Sequence, residues 1–164
     1  MMSFRLACEL TDKITAIAPV IGSFGENISK TCTPSTPIPV LIIGGTGDPL
    51  VPWNGGDVHF FRRKLGKVLS FADTTRFWVT HNGCSPDPDI AWQPDVDPED
   101  GTRIRKKVFS QCNQGVNVIL YEVQGGGHTW PGGPQYLPEW IIGINSKDMD
   151  AAEVIWQFFE RFSI

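Results

Sequence analysis

The chain has 164 residues, 41% hydrophobic and 20% charged, a balance that suits one globular domain with an ordinary core. Its formal charge of −4 leaves no basic footprint, which argues against nucleic acid or an anionic membrane as a partner. No apolar run approaches the ~18 residues needed to cross a bilayer, and the opening Met1-Met2-Ser3-Phe4-Arg5-Leu6-Ala7-Cys8-Glu9-Leu10 lacks the basic start, apolar middle and small-residue cleavage site of a signal peptide.

In chain order, Met2, Leu6 and Leu10 recur at helical spacing and predict an opening helix that ends by Lys13. Ile14 to Val20 reads as a buried strand closed by Gly22-Ser23-Phe24-Gly25, and residues 26 to 39 as a polar, Pro- and Thr-rich connection. Val40-Leu41-Ile42-Ile43 is almost wholly apolar, the signature of a central parallel strand covered on both faces, and it runs into Gly44-Gly45-Thr46-Gly47-Asp48-Pro49. Phe71 to His81 predicts a helix with Phe71, Thr75, Trp78 and Val79 on one side, stopped by Asn82-Gly83. Ser85 to Gly101 holds four prolines and six acidic residues and reads as an exposed insertion. Arg103 to Phe109 is a candidate strand pairing with Val116 to Val123. The last element, Asp148 to Phe162, puts Ala152, Ile155, Trp156, Phe159 and Phe162 on one stripe of a helix capped by Ser146 or Asp148. The expected class is therefore α/β, a mostly parallel sheet of about three core strands with a possible antiparallel one, flanked by helices.

The most informative stretch is Gly125-Gly126-Gly127-His128-Thr129-Trp130-Pro131-Gly132-Gly133, which follows a strand directly. Asp48 and His128 each lie just past the end of a predicted strand, and ligands in open α/β sheets gather at that edge. An imidazole acting as general base needs its other nitrogen held by a carboxylate, and Asp48 and His128 fit those two roles. Read singly, each has a structural alternative: Asp-Pro is a common turn, and His128 can satisfy a loop carbonyl. His59 and His81 are expected to be solvated, and three histidines so scattered do not support a catalytic zinc. Neither metal nor cofactor is implied. The acidic Asp95-Val96-Asp97-Pro98-Glu99-Asp100-Gly101 departs from a calcium loop in the place of its glycine and in lacking the closing glutamate. Among Trp53, Trp92, Trp130 and Trp140, Trp130 is the candidate for stacking on a substrate because it lies two residues from His128.

A serine nucleophile belongs on a Gly-x-Ser-x-Gly strand-to-helix turn, and the sequence has none. Gly22-Ser23-Phe24-Gly25 lacks the first glycine and a following amphipathic helix, and Ser3 sits in the opening helix, so neither is expected to attack a substrate. Cys8, Cys32, Cys84 and Cys112 show no Cys-x-x-Cys spacing. Cys84 and Cys112 both fall in turns, where a bridge would staple the acidic insertion between them; two free thiols are the alternative, and the pairing of Cys8 and Cys32 is open.

With these residues in view, the chain resembles esterases of the polyhydroxybutyrate depolymerase and feruloyl esterase group of the α/β-hydrolase superfamily. The resemblance runs through Phe4 to Glu9, Ala16-Ile17-Ala18-Pro19-Val20, Pro39-Val40-Leu41, Gly45 to Pro52, Asn82-Gly83-Cys84 and Gly125 to Gly133, and ends around Val154-Ile155-Trp156. It implies Asp48 as triad acid, His128 as triad base, a Cys84–Cys112 disulfide, an ester substrate and a secreted setting. The group carries His-Gly-Thr where this chain has Gly44-Gly45-Thr46, so one side chain near the acid is lost. Its nucleophile serine aligns a few residues ahead of Met1, so the chain is expected to be a truncated α/β-hydrolase domain, the C-terminal half. An uncovered sheet would then favour a homo-oligomer or another partner. The two functions implied are a carboxylic ester hydrolase by descent, on feruloyl- or acetyl-carbohydrate or polyhydroxyalkanoate esters, and an inactive remnant serving as a binding or self-assembling module.

Overall fold

A computed structural model describes residues 2–60 and 63–162. Its centre is a mixed sheet in the order β1-β6-β5-β4, formed by β1 (Val40–Gly45), β4 (Asp89–Trp92), β5 (Arg103–Phe109) and β6 (Val118–Gln124). Helices α1 (Met2–Glu9) and α3 (Phe71–His81) cover one face and α5 (Ala151–Glu160) the other, giving three layers. The parallel pair β1 and β6 is buried along almost its whole length, as its apolar runs require.

The sheet is not mostly parallel. Among its named strands only β1 and β6 are parallel, whereas β6, β5 and β4 form an antiparallel meander. Short turns suffice for antiparallel neighbours, so no crossover helix is needed there. The expected strand over Ile14–Val20 is reduced to two parallel bridges, Ile17 with Val40 and Val20 with Ile43. Ile17 N donates to Pro39 O and Ile21 N to Ile43 O, but Pro19 between them has no N–H to give β1, and the ladder breaks there. Within the acidic Ser85–Gly101 stretch, β4 joins the sheet as an edge strand with all four residues exposed, so no inward-facing alternation marks it in the sequence. Two further elements were not anticipated: an exposed hairpin of β2 (Gly56–Phe60) and β3 (Arg63–Val68), and the one-turn α4 (Glu139–Ile142). A second short helix, α2 (Glu26–Ser29), lies in the polar connection.

Helix α3 spans the predicted residues. Ser70 caps it by accepting from Asp73 N at 2.9 Å, and the Asn82 side chain at its far end clasps both backbone groups of Ile38, just ahead of β1. Helix α5 is capped instead by Asp150, which accepts from the amides of Ala152 and Glu153. Its inward stripe is Ala151, Val154, Ile155, Phe158 and Phe162, not the predicted set, and Ala152, Trp156 and Phe159 are exposed. Apolar residues occur around most of this helix, so periodicity alone cannot say which stripe meets the sheet.

Two disulfides staple the layers. Cys8–Cys32 ties α1 to the connection before β1, and Cys84–Cys112 ties the end of α3 to the β5–β6 turn. Closing loops of 24 and 28 residues removes unfolded-state freedom worth about 3–4 kcal/mol each in the chain-entropy account. Across the middle of the sheet, Glu122 on β6 is held by Arg105 at 2.8 Å and Lys107 at 2.9 Å, both from β5. Burial pushes the Glu122 carboxyl up, but hydrogen bonds from Arg105, Lys107 and Gln124 outweigh it and hold the group below its ordinary range. A depressed folded-state value stabilises the fold above the ordinary carboxylate range, and that contribution is lost as pH falls through the depressed value. Glu122→Gln should therefore cost about 1–2 kcal/mol in urea unfolding at pH 7. The gap from wild type should close as the pH drops below about 4; an equal gap at pH 7 and pH 3 would refute the ion-pair account.

Candidate active site

The parallel register of β1 and β6 sets Gly45 opposite Val123, so both strands leave the sheet on one edge. Beyond that edge the two loops are laced together. Thr46 N donates to Val123 O and Gly47 N to Gly126 O, each at 2.9 Å, while Gly125 N donates to the Thr46 hydroxyl at 3.0 Å. The backbones come so close that a Cβ on Gly45 would lie 2.2 Å from Gly126 O. Gly125 itself turns the chain at a φ of +73°, in the left-handed region that glycine tolerates.

This seam carries Asp48 and His128 together. Asp48 Oδ1 accepts from the amides of Leu50 and Val51 at 2.7 and 2.8 Å, which locks a fully buried carboxyl in place, and Oδ2 lies 2.8 Å from His128 Nδ1. A carboxylate can only accept, so Nδ1–H donates and Nε2 is left without a partner among the described residues. The imidazole is about a quarter exposed. Its backbone is held too: His128 N donates to Ile142 O, and His128 O accepts from the Tyr136 hydroxyl at 2.7 Å.

His128 lines a cavity of about 270 Å³ together with Leu50, Val51, Val58 and Leu65 of the hairpin, and Tyr136 and Leu137. A second hollow of about 240 Å³ shares Leu50, His59 and Phe60 with it and adds Pro49, Trp140 and Ile141. Among the described residues no Asp, Glu, Lys or Arg lines either space, and the groove these residues form favours a largely apolar group. A larger hollow of about 600 Å³ lies beside α3, lined by Cys32, Phe77, His81 and the exposed Asp73–Arg76 ion pair, but it contains no histidine–carboxylate pair. The smaller groove is the stronger candidate because His128 lines it.

The other sequence candidates are dispersed. Trp130 is exposed and rests its ring over Gly133, outside the residues that line the groove, whereas Trp140 stands at the rim, 80% exposed. Trp53 stacks on Phe71, and Trp92 lies under Arg103 and Arg105. His59 is exposed on β2 and lines the groove, while His81 sits half-buried at the end of α3 beside Thr36 O. Ser23 is wholly buried, bonded to Leu69 O and the Thr74 hydroxyl, and Ser3 lies in α1. No serine or cysteine among the described residues lines the groove. In the acidic stretch Asp97 pairs with Lys147 at 2.6 Å, which holds its carboxyl below the ordinary range, and Asp100 binds the backbone of Thr102 and Lys147. Among the described residues no group of three or more His, Cys, Asp or Glu is placed to hold a metal ion. The hairpin wall and Tyr136 were illegible in the sequence: the hairpin lacks a buried alternating face, and Tyr136 is eight residues from the histidine it bonds.

An α/β domain with a histidine–carboxylate pair at the sheet edge invites comparison with hydrolases. The chain is 30% identical to "Putative esterase NocK" of Nocardia uniformis subsp. tsuyamanensis, over 96% of its own length and 47% of that protein. It is 31% identical to feruloyl esterase C of Emericella nidulans, over 96% of the chain and 45% of the relative. With feruloyl esterase B of Piromyces equi it shares 29% identity over 77% of the chain and 22% of the relative. No protein-family model matches the chain. It thus spans about half, or less, of the length of these curated relatives. At about 30% identity over most of its residues, the chain is similar to a stretch of about half the length of these esterases.

The seam makes one direct prediction. Gly45→Ala should force the two loops apart and cost about 2–3 kcal/mol in chemical unfolding, since backbone on both sides cannot yield like a flexible side chain. A stability equal to wild type would contradict a backbone contact between the two loops at Gly45.

Proposed function

We propose that the chain supplies the acid–base part of a carboxylic ester hydrolase site. His128 Nε2 takes the proton of the attacking hydroxyl and returns it to the leaving alcohol, while Asp48 holds the ring in the Nδ1–H form and stabilises the imidazolium that forms. The observation that carries this reading is the 2.8 Å bond between a buried, doubly anchored Asp48 and a His128 that lines a groove of mainly apolar described residues. Its similarity to esterases supports the reaction class. Feruloyl, acetyl and polyhydroxyalkanoate esters all present an uncharged acyl group that suits the groove, and Trp130 would meet whatever part of the ester extends beyond it. Two disulfides support a secreted or otherwise oxidising setting.

Hydrolysis of p-nitrophenyl acetate by the purified chain should fall by roughly a hundredfold or more in His128→Ala, the usual worth of a general base. Equal rates in the two proteins would remove His128 from the chemistry.

A second reading has its own observation. With no serine or cysteine among the described residues that line the groove, the domain can act as a binding or assembly module that performs no acyl transfer unaided. The amides and carbonyls of Ala16, Ala18 and Val20 make no backbone bond to the described residues, so the sheet has an open edge beside β1 that can accept a strand. A second copy of the chain is the proposed occupant. Light scattering should then give a mass above 18.2 kDa that falls toward it on dilution; a monodisperse monomer at all concentrations would contradict assembly.

A further inference from the structure

Three atoms of His128 are held, and each by a different kind of partner. Nδ1 is held by the Asp48 carboxylate at 2.8 Å, the main-chain N–H by Ile142 O at 2.5 Å, and the main-chain carbonyl by the Tyr136 hydroxyl at 2.7 Å. The last two come from one strap, residues 134 to 144, which is tied down independently of the dyad. Gln135 Nε2 donates to Leu137 O and Gly143 O, Asn145 Nδ2 to Gly133 O, and Gly127 N to Ile144 O. Gly127 and Gly143 meet so closely that a Cβ on Gly127 would lie 2.4 Å from the Gly143 Cα, so the strap cannot slide over the histidine loop. Of the two strap contacts to His128, only the Tyr136 bond is made by a side chain.

We infer that Tyr136 is a positioning residue for His128, fixing the imidazole through its main-chain carbonyl while the same residue lines the groove that His128 also lines. This rests on the reading of His128 as the acid–base group. The mechanism is geometric. The direction of the Cα–Cβ bond of His128 follows from the two peptide planes flanking it, and the Asp48 bond alone leaves the ring free to pivot about Nδ1. Anchoring the following carbonyl removes that pivot and fixes where Nε2 points. Tyr136 suits the task because burial, and then the Asp48 charge, push its phenol above its ordinary value, so the hydroxyl keeps the proton it donates. A groove ligand that packs on the Tyr136 ring presses on the same strap, which couples occupancy to the aim of the imidazole.

The test compares solvent exchange of the His128 Nδ1 proton, by NMR of the nitrogen-15-labelled chain, in wild type and Tyr136→Phe. The phenyl ring preserves the groove wall and deletes only the donor. Exchange should quicken by on the order of tenfold, the equivalent of one neutral hydrogen bond, while amide exchange in β1 and β6 stays as in wild type. Unchanged Nδ1 exchange in a folded variant overturns the proposal. If the variant does not fold, the wild-type chain still reports: the His128 carbonyl carbon should show a deuterium isotope shift between H2O and D2O from the Tyr136 hydroxyl, and its absence overturns the proposal. Replacing the chain's two tyrosines by 3-fluorotyrosine retains the hydroxyl and should restore slow exchange; fast exchange there would also overturn it. Where ester hydrolysis is measurable, Tyr136→Phe should lower kcat about tenfold with KM unchanged. A chain that hydrolyses no ester yet shows the exchange difference loses the esterase reading and keeps this one.

Discussion

The parallel pairing of β1 with β6 is the constraint on which the site depends. These strands are far apart in the sequence, and each alone would deliver its loop to an arbitrary point. In register, with Gly45 opposite Val123, they bring Asp48 and His128 past the same sheet edge. The glycines then do what no other residue can, letting the two loops share hydrogen bonds at backbone contact distance. Asp48 in turn spends one carboxyl oxygen on the amides of Leu50 and Val51 and keeps the other for the histidine. Sheet register, loop seam and dyad form one chain of dependence.

The rest of the fold protects that register. Phe4, Phe24, Phe77 and Trp78 pack ring against ring on the α1–α3 face, and Gly44 leaves room on β1 for the Phe71 ring. Asn82 and the Cys84–Cys112 bridge join the end of α3 both to the residues before β1 and to the turn before β6, fixing the two strands from their starting ends. Their other ends are fixed by the seam. The groove wall comes from largely exposed pieces, a two-stranded hairpin anchored in the core through Val58 and Val68 and a short strap tied to the histidine loop. A rigid sheet edge bearing a more pliable binding wall is a common division between chemistry and specificity.

What the sequence disclosed and what it withheld divide along physical lines. Buried strands and well-capped helices impose apolar runs and caps, so β1, β6 and α3 could be read closely, and β5 pairs with β6 as the strand reading of Arg103 to Phe109 expected. The dyad was legible because both residues follow strands that were themselves legible. Exposure erased the other signals. The residues of β4 are all exposed, and β3 faces solvent until Val68, so neither shows an inward face. In α5 the opposite problem arose: too many apolar residues allowed more than one stripe, and packing chose among them. The bond from Tyr136 to His128 joins a side chain to a backbone carbonyl and leaves no trace in residue pattern. The resemblance to feruloyl esterases named the pair but did not indicate the groove wall.

Together these features describe an α/β domain that holds a histidine in one tautomer, at one position, facing a groove lined mainly by apolar described residues. The most direct test of that description is the protonation pattern of the His128 ring. Side-chain nitrogen-15 NMR of the chain under mildly alkaline conditions should show His128 as the Nδ1–H form, with an unprotonated Nε2. His59, which lines the same groove with no hydrogen-bonded carboxylate among the described residues, should show both tautomers. In Asp48→Asn the His128 pattern should collapse toward that of His59. A His128 that populates both tautomers in the wild-type chain, or one indifferent to the Asp48 change, would contradict the account.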